Sequence, residues 1–285
     1  MFGSVLSVLL MGMVPAWGTQ ANVRALSGDI RVSPPAITDR MFSADFLAGL
    51  SASGVIVTDL ESGQMLLGRD ADTARPMASL TKLMTALLIV ENHAPEELVT
   101  VPSDIADTEG NVVYLSPGER FSVGDLLSAL LITSANDAAV TLARFHSGST
   151  DAFVREMNRR ARELGLTHTS YQNPAGLDAP SQRSSPRDLA WLATFVLTKP
   201  PIADRMSLSF ARITGSRGSV LTLTHTHALL VDNPAILAGK TGTTDEAGQC
   251  LLSIVEAGDR RYVTVLLHSQ DRYKDVRQIL ASLPR

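Results

Sequence analysis

A single cysteine, Cys250, is all the thiol chemistry the chain carries. One thiol excludes an intrachain disulfide and supplies too few ligands for a cysteine zinc site. There is no basic excess: 25 lysines and arginines are scattered against 29 acidic residues, for a net charge of −4. A nucleic-acid partner therefore has no electrostatic footprint to bind. Apolar runs long enough to cross a bilayer are missing too. Phe2 to Trp17 is apolar but short, and Leu126 to Ile132 is shorter still. No amphipathic or apolar tail precedes Arg285, so no integral membrane anchor is expected. Internal repeats and low-complexity tracts are also lacking.

What is there is a globular composition, 45% hydrophobic and 19% charged over 285 residues, enough to bury a sizeable core. Residues 1–18 have the character of a secretory signal peptide, with Ala16-Trp17-Gly18 as a cleavage site, although no lysine or arginine precedes the apolar run. Export to a periplasmic or other extracytoplasmic space is the expectation. Residues 19–42, with Ser33-Pro34-Pro35 and little periodicity, read as a linker or extended arm.

From residue 43 onward the pattern is hairpin, helices, strands, helix. Gly54 to Leu60 is β-branched, Glu61-Ser62-Gly63 is a turn signal, and Gln64 to Leu67 resumes the extended pattern. A helix is expected from Ser79, with Leu80, Leu83, Met84, Leu87 and Leu88 on its apolar side. Residues 93–120, rich in proline and glycine, read as mostly irregular. Ser122 with Asp125 predicts a capped helix, Asp151 to Leu164 another that stops at Gly165, and Ser185-Pro186-Arg187-Asp188 a third. Short extended runs follow at 207–213, 220–223, 236–240, 249–255 and 262–268, then helical spacing from Asp271 to Leu283. Strands from both ends must join one mostly antiparallel sheet for their apolar faces to be covered. The expected fold class is α+β: a sheet lobe over about 43–78 and 205–285, flanked by helices, with a helical lobe inserted over about 79–204.

Three short motifs stand in order: Ser79-Leu80-Thr81-Lys82, Ser134-Ala135-Asn136-Asp137 and Lys240-Thr241-Gly242-Thr243. On a helix, residues three apart share a face, so the Ser79 hydroxyl and the Lys82 amine can meet. A serine beside an amine is an activated nucleophile if burial keeps that amine neutral part of the time. Ser-x-x-Lys alone is equally an N-capping serine followed by a solvated lysine; the two downstream motifs remove that ambiguity. Together they are the known signature of penicillin-binding proteins and class A β-lactamases.

With its flanks, the chain resembles the D-alanyl-D-alanine carboxypeptidase family of low-molecular-weight penicillin-binding proteins. The matching text includes Ala78 to Ala86, Ser134 to Ala139, Asn173-Pro174-Ala175-Gly176-Leu177, Ser185 to Leu189, and Lys240 to Thr244 with Ala247-Gly248. It runs from about Ser51 to Leu283. The resemblance implies a β-lactamase/transpeptidase-like fold and a serine peptidase that removes the terminal D-alanine from peptidoglycan stem pentapeptides. It implies β-lactams as covalent inhibitors and no cofactor.

Under this resemblance Ser79 attacks the penultimate D-alanine carbonyl to form an acyl-enzyme, Lys82 takes its proton, and Ser134 relays that proton to the leaving amine. Asn136, with both amide donor and acceptor, holds Lys82 and a substrate amide. Lys240 brings a fixed positive charge, and Thr241 a hydroxyl, to the substrate carboxylate. Gly242 lets the strand edge approach the substrate backbone. The backbone N–H groups of Ser79 and Thr243 form the oxyanion hole, and Arg272 lies near the carboxylate or is an exposed helix-start residue. Asp137 reads as structural.

The remaining candidates read more plainly. His225 and His227, placed on a strand, would face the same way, but without further ligands they do not make a metal site. The resembled family often has asparagine there. His93, His146, His168 and His268 read as scattered structural residues, and Cys250 and Trp191 as core. A β-lactamase would need a deacylating glutamate followed four positions later by asparagine. The nearest candidate, Glu163, is followed there by Thr167 and lies in a helix end. The alternatives to a carboxypeptidase are a D,D-endopeptidase cutting peptidoglycan cross-links, then a serine β-lactamase or a penicillin-sensing domain.

Overall fold

The structure, a computed structural model, describes residues 36–37, 42 and 44–284. The signal-like segment and nearly all of the arm lie outside the described residues. The chain opens with β1 (Ala36–Ile37) and α1 (Ala44–Gly49), then the hairpin β2 (Gly54–Asp59) and β3 (Gln64–Arg69). Asp59 Oδ1 closes that turn by accepting from the backbone N–H groups of Glu61 at 3.0 Å and Ser62 at 2.7 Å, and Gly63 takes φ 71°. A short strand, β4 (Arg75–Pro76), leads to a 3₁₀ turn (Ala78–Thr81) and α2 (Lys82–Asn92).

The helical part continues through β5 (Leu98–Thr100), β6 (Arg120–Ser122), α3 (Val123–Ile132), α4 (Asn136–Ser147), α5 (Thr150–Glu163), β7 (Arg183–Ser184), α6 (Pro186–Leu197) and α7 (Pro200–Ser207). Side-chain oxygens of Ser122, Ser149 and Ser185 accept from the N–H groups of Asp125, Ala152 and Asp188, which sets the starts of α3, α5 and α6. Gly148 and Gly165, both at positive φ, end α4 and α5. Every α2 residue from Lys82 to Ile89 is buried, so α2 is a central helix that meets solvent only in its last turn.

After β8 (Phe210–Thr214), β9 (Val220–Thr224) and α8 (Leu229–Asp232), the chain returns to the sheet. There it adds β10 (Ile236–Thr244), β11 (Gly248–Ala257) and β12 (Arg260–Ser269), then closes with α9 (Arg272–Ser282). The main sheet has the order β1-β3-β2-β12-β11-β10. It is antiparallel except for the β1–β3 pair. The β2–β12 ladder, with Val55 opposite Leu266 and Val57 opposite Thr264, joins the two ends of the chain. All six β2 residues are buried because both sheet faces are covered. Val55 and Val57 point to the cluster containing Val276 and Ile279 of α9, while Ile56 points to the cluster containing α2 and α6. The fold is α+β, with the helices of one face carrying the chain away from the sheet and back.

Two expectations need correction. The strands at 207–213 and 220–223 do not enter the main sheet: β8 and β9 pair only with each other and lean on α3. Each buries a single residue deeply, Ile213 and Leu223, which is enough for one helix face but not for a place between two layers. His93 and His146 are not scattered. His93 Nε2 lies 2.9 Å from His146 Nδ1, with Glu97 2.9 Å from His93 and Glu156 3.0 Å from His146. This chain of four side chains ties the last turns of α2 and α4 to α5, at the ends opposite Lys82 and Asn136.

Candidate active site

Ser79 lies in the 3₁₀ turn before α2. It caps nothing: the turn's N-cap is Met77, without a side-chain cap bond. Its hydroxyl is instead 2.9 Å from Lys82 Nζ. The preceding residue, Ala78, holds φ 48°, a left-handed conformation that an L-residue keeps only where its surroundings enforce it. Two glycines enforce it here. A Cβ on Gly176 would stand 2.0 Å from the Ala78 carbonyl oxygen, and one on Gly242 would stand 2.8 Å from both Ala78 Cβ and the Ser79 nitrogen. Gly242 thus allows the close approach of β10 to the turn that carries Ser79. Gly242→Ala is expected to place a methyl against the Ser79 N–H and slow acylation by roughly 10²-fold, the scale of losing one oxyanion donor. Stopped-flow acylation with a chromogenic β-lactam measures it, and a rate within twofold of the parent would refute it.

Lys82 is wholly buried, and burial lowers its amine from an ordinary 10.5 to about 7, the nearby Asp137 carboxylate opposing the shift. Its three hydrogen-bond directions are all occupied: Ser79 Oγ at 2.9 Å, Asn136 Oδ1 at 2.7 Å and the Ala175 carbonyl at 2.5 Å. The last two partners can only accept. In the neutral amine they take both N–H groups, so the lone pair is left facing the Ser79 hydroxyl.

The scaffold around that amine explains its direction. Asn173 Oδ1 accepts from the N–H groups of Ala175, Gly176 and Leu177, which curls the loop and turns the Ala175 carbonyl onto Lys82. Thr85 Oγ1 donates to the Pro174 carbonyl one turn along α2. Asn136, at the start of α4, donates through Nδ2 to the Glu109 carbonyl at 2.7 Å, which orients its amide oxygen toward Lys82.

Ser134 sits between α3 and α4 at φ 64°, a second left-handed non-glycine residue at the site. Its hydroxyl accepts from Lys240 Nζ at 2.8 Å. The Lys240 amine is also wholly buried, donates to the Thr241 carbonyl, and is held well below its usual range by burial, then by the Lys82 and Arg272 charges. It is buried behind Ser134, and the Ser134 hydroxyl is its direct side-chain partner.

Thr241 Oγ1 donates to Thr226 Oγ1 at 2.6 Å. Thr243 is exposed on the strand edge; its hydroxyl accepts from Arg272 Nη1 at 2.9 Å. The same guanidinium donates to the Gly242 carbonyl at 2.9 Å, so Arg272, the first residue of α9, braces the β10 edge. Asp137 does structural work: its carboxylate accepts from the N–H groups of Val113 and Leu115.

His225 and His227 are not on a strand; they follow the end of β9. His225 Nδ1 accepts from the His227 backbone N–H, and His227 Nε2 lies 2.8 Å from Ser253 Oγ. Burial pushes the two imidazoles down to about 3 and about 4, so both are neutral near pH 7. Among the described residues, no group of metal-ligating side chains that could hold an ion is found. Glu163 is at the surface, ion-paired with Arg159 and Arg160.

Residues 41–271 match the family described as D-alanyl-D-alanine carboxypeptidase. The chain belongs to that family. It is 32% identical over 220 residues to D-alanyl-D-alanine carboxypeptidase DacF of Bacillus subtilis (strain 168), covering 75% of this chain and 57% of that protein. To a D-alanyl-D-alanine endopeptidase of Pseudomonas aeruginosa it is 33% identical over 208 residues, covering 71% of this chain and 66% of that one. The chain thus spans between about half and two thirds of the length of these relatives. Among solved structures, a D-alanyl-D-alanine carboxypeptidase from Mycobacterium tuberculosis H37Rv superposes with a TM-score of 0.76 at 30% identity, covering 81% of this chain and 90% of that one.

For a member of this family, three parts of the site escaped sequence reasoning. The Ala175 carbonyl carries no side-chain signal, since every residue has one. Thr226 lies between the two histidines and belongs to no motif. Asp178 accepts from Thr244 Oγ1 at 2.5 Å and the Glu246 N–H at 3.2 Å, tying the 173–178 loop to the far end of β10.

Proposed function

We propose that this chain is an exported serine D-alanyl-D-alanine carboxypeptidase acting on peptidoglycan stem pentapeptides. The observation that carries the reading is the buried Lys82 amine, with two positions taken by carbonyl oxygens and the third facing Ser79 Oγ. The neutral amine accepts the Ser79 proton as Oγ bonds to the carbonyl carbon of the penultimate D-alanine. The oxyanion forms beside the Ser79 and Thr243 N–H groups. As the peptide C–N bond breaks, the proton passes through Ser134 to the departing D-alanine nitrogen, with Lys240 holding the Ser134 oxygen. Water then hydrolyses the ester, returning the Ser79 proton. Thr241, Thr243 and Arg272 line the strand edge where the substrate's terminal carboxylate would lie, and Asn136 offers an amide there. No cofactor enters this chemistry. The signal-like residues 1–18 support an extracytoplasmic location, where peptidoglycan and β-lactams are met.

The test is incubation with purified pentapeptide and with cross-linked muropeptides. Free D-alanine from the first without monomers from the second is the expected result. Monomer release would favour the second reading, a D,D-endopeptidase, which the likeness to the Pseudomonas aeruginosa relative keeps in view and which needs only a larger leaving group. A β-lactamase is disfavoured because Glu163 is ion-paired at the surface. Benzylpenicillin is therefore expected to leave a persistent adduct on Ser79, seen by intact-protein mass spectrometry. Loss of that adduct within seconds would count against it.

A further inference from the structure

Tyr114 combines two costly features. Its side chain is 84% exposed, the highest value among the exposed large hydrophobics of the described residues. Its backbone holds φ 59°, where a bulky L-residue is strained. The strain is imposed from both sides, because the Asp137 carboxylate grips the N–H groups of Val113 and Leu115. The same segment is sewn to the start of α4. The Asn136 N–H donates to the Asn111 carbonyl at 2.7 Å, and Asn136 Nδ2 to the Glu109 carbonyl. Asn111 Nδ2 donates to the Thr133 carbonyl. Gly110, at φ 81°, lies so close that a Cβ there would meet Asn136 Nδ2 at 2.6 Å and Leu177 at 3.6 Å. The rim segment 109–115 is therefore hydrogen-bonded directly to Asn136 and, through it, to Lys82. An aromatic ring held rigidly against the catalytic frame, yet barely buried by the fold, is placed for something outside the fold.

We infer that Tyr114 is a specificity-determining residue whose ring face packs against the stem peptide upstream of the scissile D-alanine pair. This rests on the proposed carboxypeptidase reading. An aromatic face takes CH-rich and amide surface with little loss of side-chain entropy, because the ring has few torsions and its backbone is already locked. A substrate cut down to the two alanines and one diacylated residue does not reach it; a pentapeptide does.

The experiment compares Tyr114→Ala, Tyr114→Gly and Tyr114→Phe with the parent. Three substrates are used: a short diacylated tripeptide ending in D-Ala-D-Ala, a free stem pentapeptide and a disaccharide pentapeptide. In the alanine and glycine variants the ratio of kcat/KM for pentapeptide over tripeptide is expected to fall about tenfold, carried by KM, a factor that corresponds to one good contact. Tyr114→Phe is expected to keep the parent ratio. An unchanged ratio, or equal losses on both peptides, overturns the inference, as does a drop that appears only when the sugar is present. Tyr114→Gly relieves the left-handed strain and should melt at or above the parent's temperature; melting below it would make the ring structural and also overturn the inference. A parent that cleaves none of the three substrates overturns the carboxypeptidase reading and this inference with it, whereas an active parent with an unchanged ratio overturns only the contact.

Discussion

Ser79→Ala is expected to abolish covalent labelling by penicillin and to cut D-alanine release by roughly 10⁴- to 10⁶-fold, the usual scale for removing a serine nucleophile. The fold should survive. Ser79 is only part-buried, it caps no helix, and the strained Ala78 before it is held by Gly176 and Gly242 and not by the hydroxyl. One hydrogen bond to Lys82 is lost, and the vacated space admits water to take it. Substrate binding should persist, because Thr241, Thr243, Arg272 and Asn136 are untouched. A variant that binds pentapeptide with near-parent affinity while releasing no D-alanine is the expected phenotype. Retained peptidase activity would sink the mechanism outright.

Lys82→Met carries the second largest effect. Removing a positioned general base typically costs about 10²- to 10⁴-fold in rate, and a methionine fills the buried channel without supplying a lone pair. The parent's acylation rate should rise with pH through about 7 and then level, because only the unprotonated amine accepts the Ser79 proton. A rate that is flat from pH 5.5 to 8 would exclude Lys82 as the base.

Stability changes with pH in a linked way. Unfolded Lys82 binds its proton below 10.5, while the folded amine withholds it until about 7. Between those values the unfolded state binds more protons, so the parent loses stability as pH falls from 10.5 to 7 and no further below that. The whole shift corresponds to at most roughly 5 kcal/mol. Lys82→Met escapes it, but leaves Asn136 Oδ1 and the Ala175 carbonyl without their donor, at about 1–3 kcal/mol each. The net change at one pH is therefore a small remainder, and the slope is the better readout. The variant's denaturation midpoint relative to the parent's should fall steadily as pH rises from 7 toward 10, because only the parent gains stability over that range, measured in guanidinium titrations.

Much of the architecture is written in neighbouring residues. Ser122 with Asp125, Ser149 with Ala152 and Ser185 with Asp188 form caps within one helical turn, and the β2–β3 hairpin closes through Asp59 and Gly63. Ser79 and Lys82 are of the same kind, since their contact needs only the pitch of one turn. Residue types alone also marked Asn136 and Lys240 as chemistry. What those side chains touch is another matter. Lys82 meets Asn136 and Ala175 across separations of 54 and 93 residues, and Lys240 meets Ser134 across 106. Periodicity and capping rules act over a few residues and do not report such pairings. For that reason the resemblance assigns Lys240 a charge for the substrate carboxylate, while its burial beside Ser134 shows only in the fold. Gly242 reads as room for substrate, and the fold adds that it makes room for Ser79's own turn.

The sequence alone thus determines the order of elements, the pairing of Ser79 with Lys82, and the membership those motifs signal, because each rests on local spacing or on residue identity. Tertiary packing decides the protonation and direction of Lys82, since both depend on burial and on carbonyl groups that come from distant loops. It also decides that β8 and β9 leave the main sheet, because strand partners are chosen by which apolar faces remain to be covered. The strained rim at Tyr114 belongs with these: nothing in Val112-Val113-Tyr114-Leu115 announces a left-handed residue until the Asp137 carboxylate is placed between the two amides that flank it.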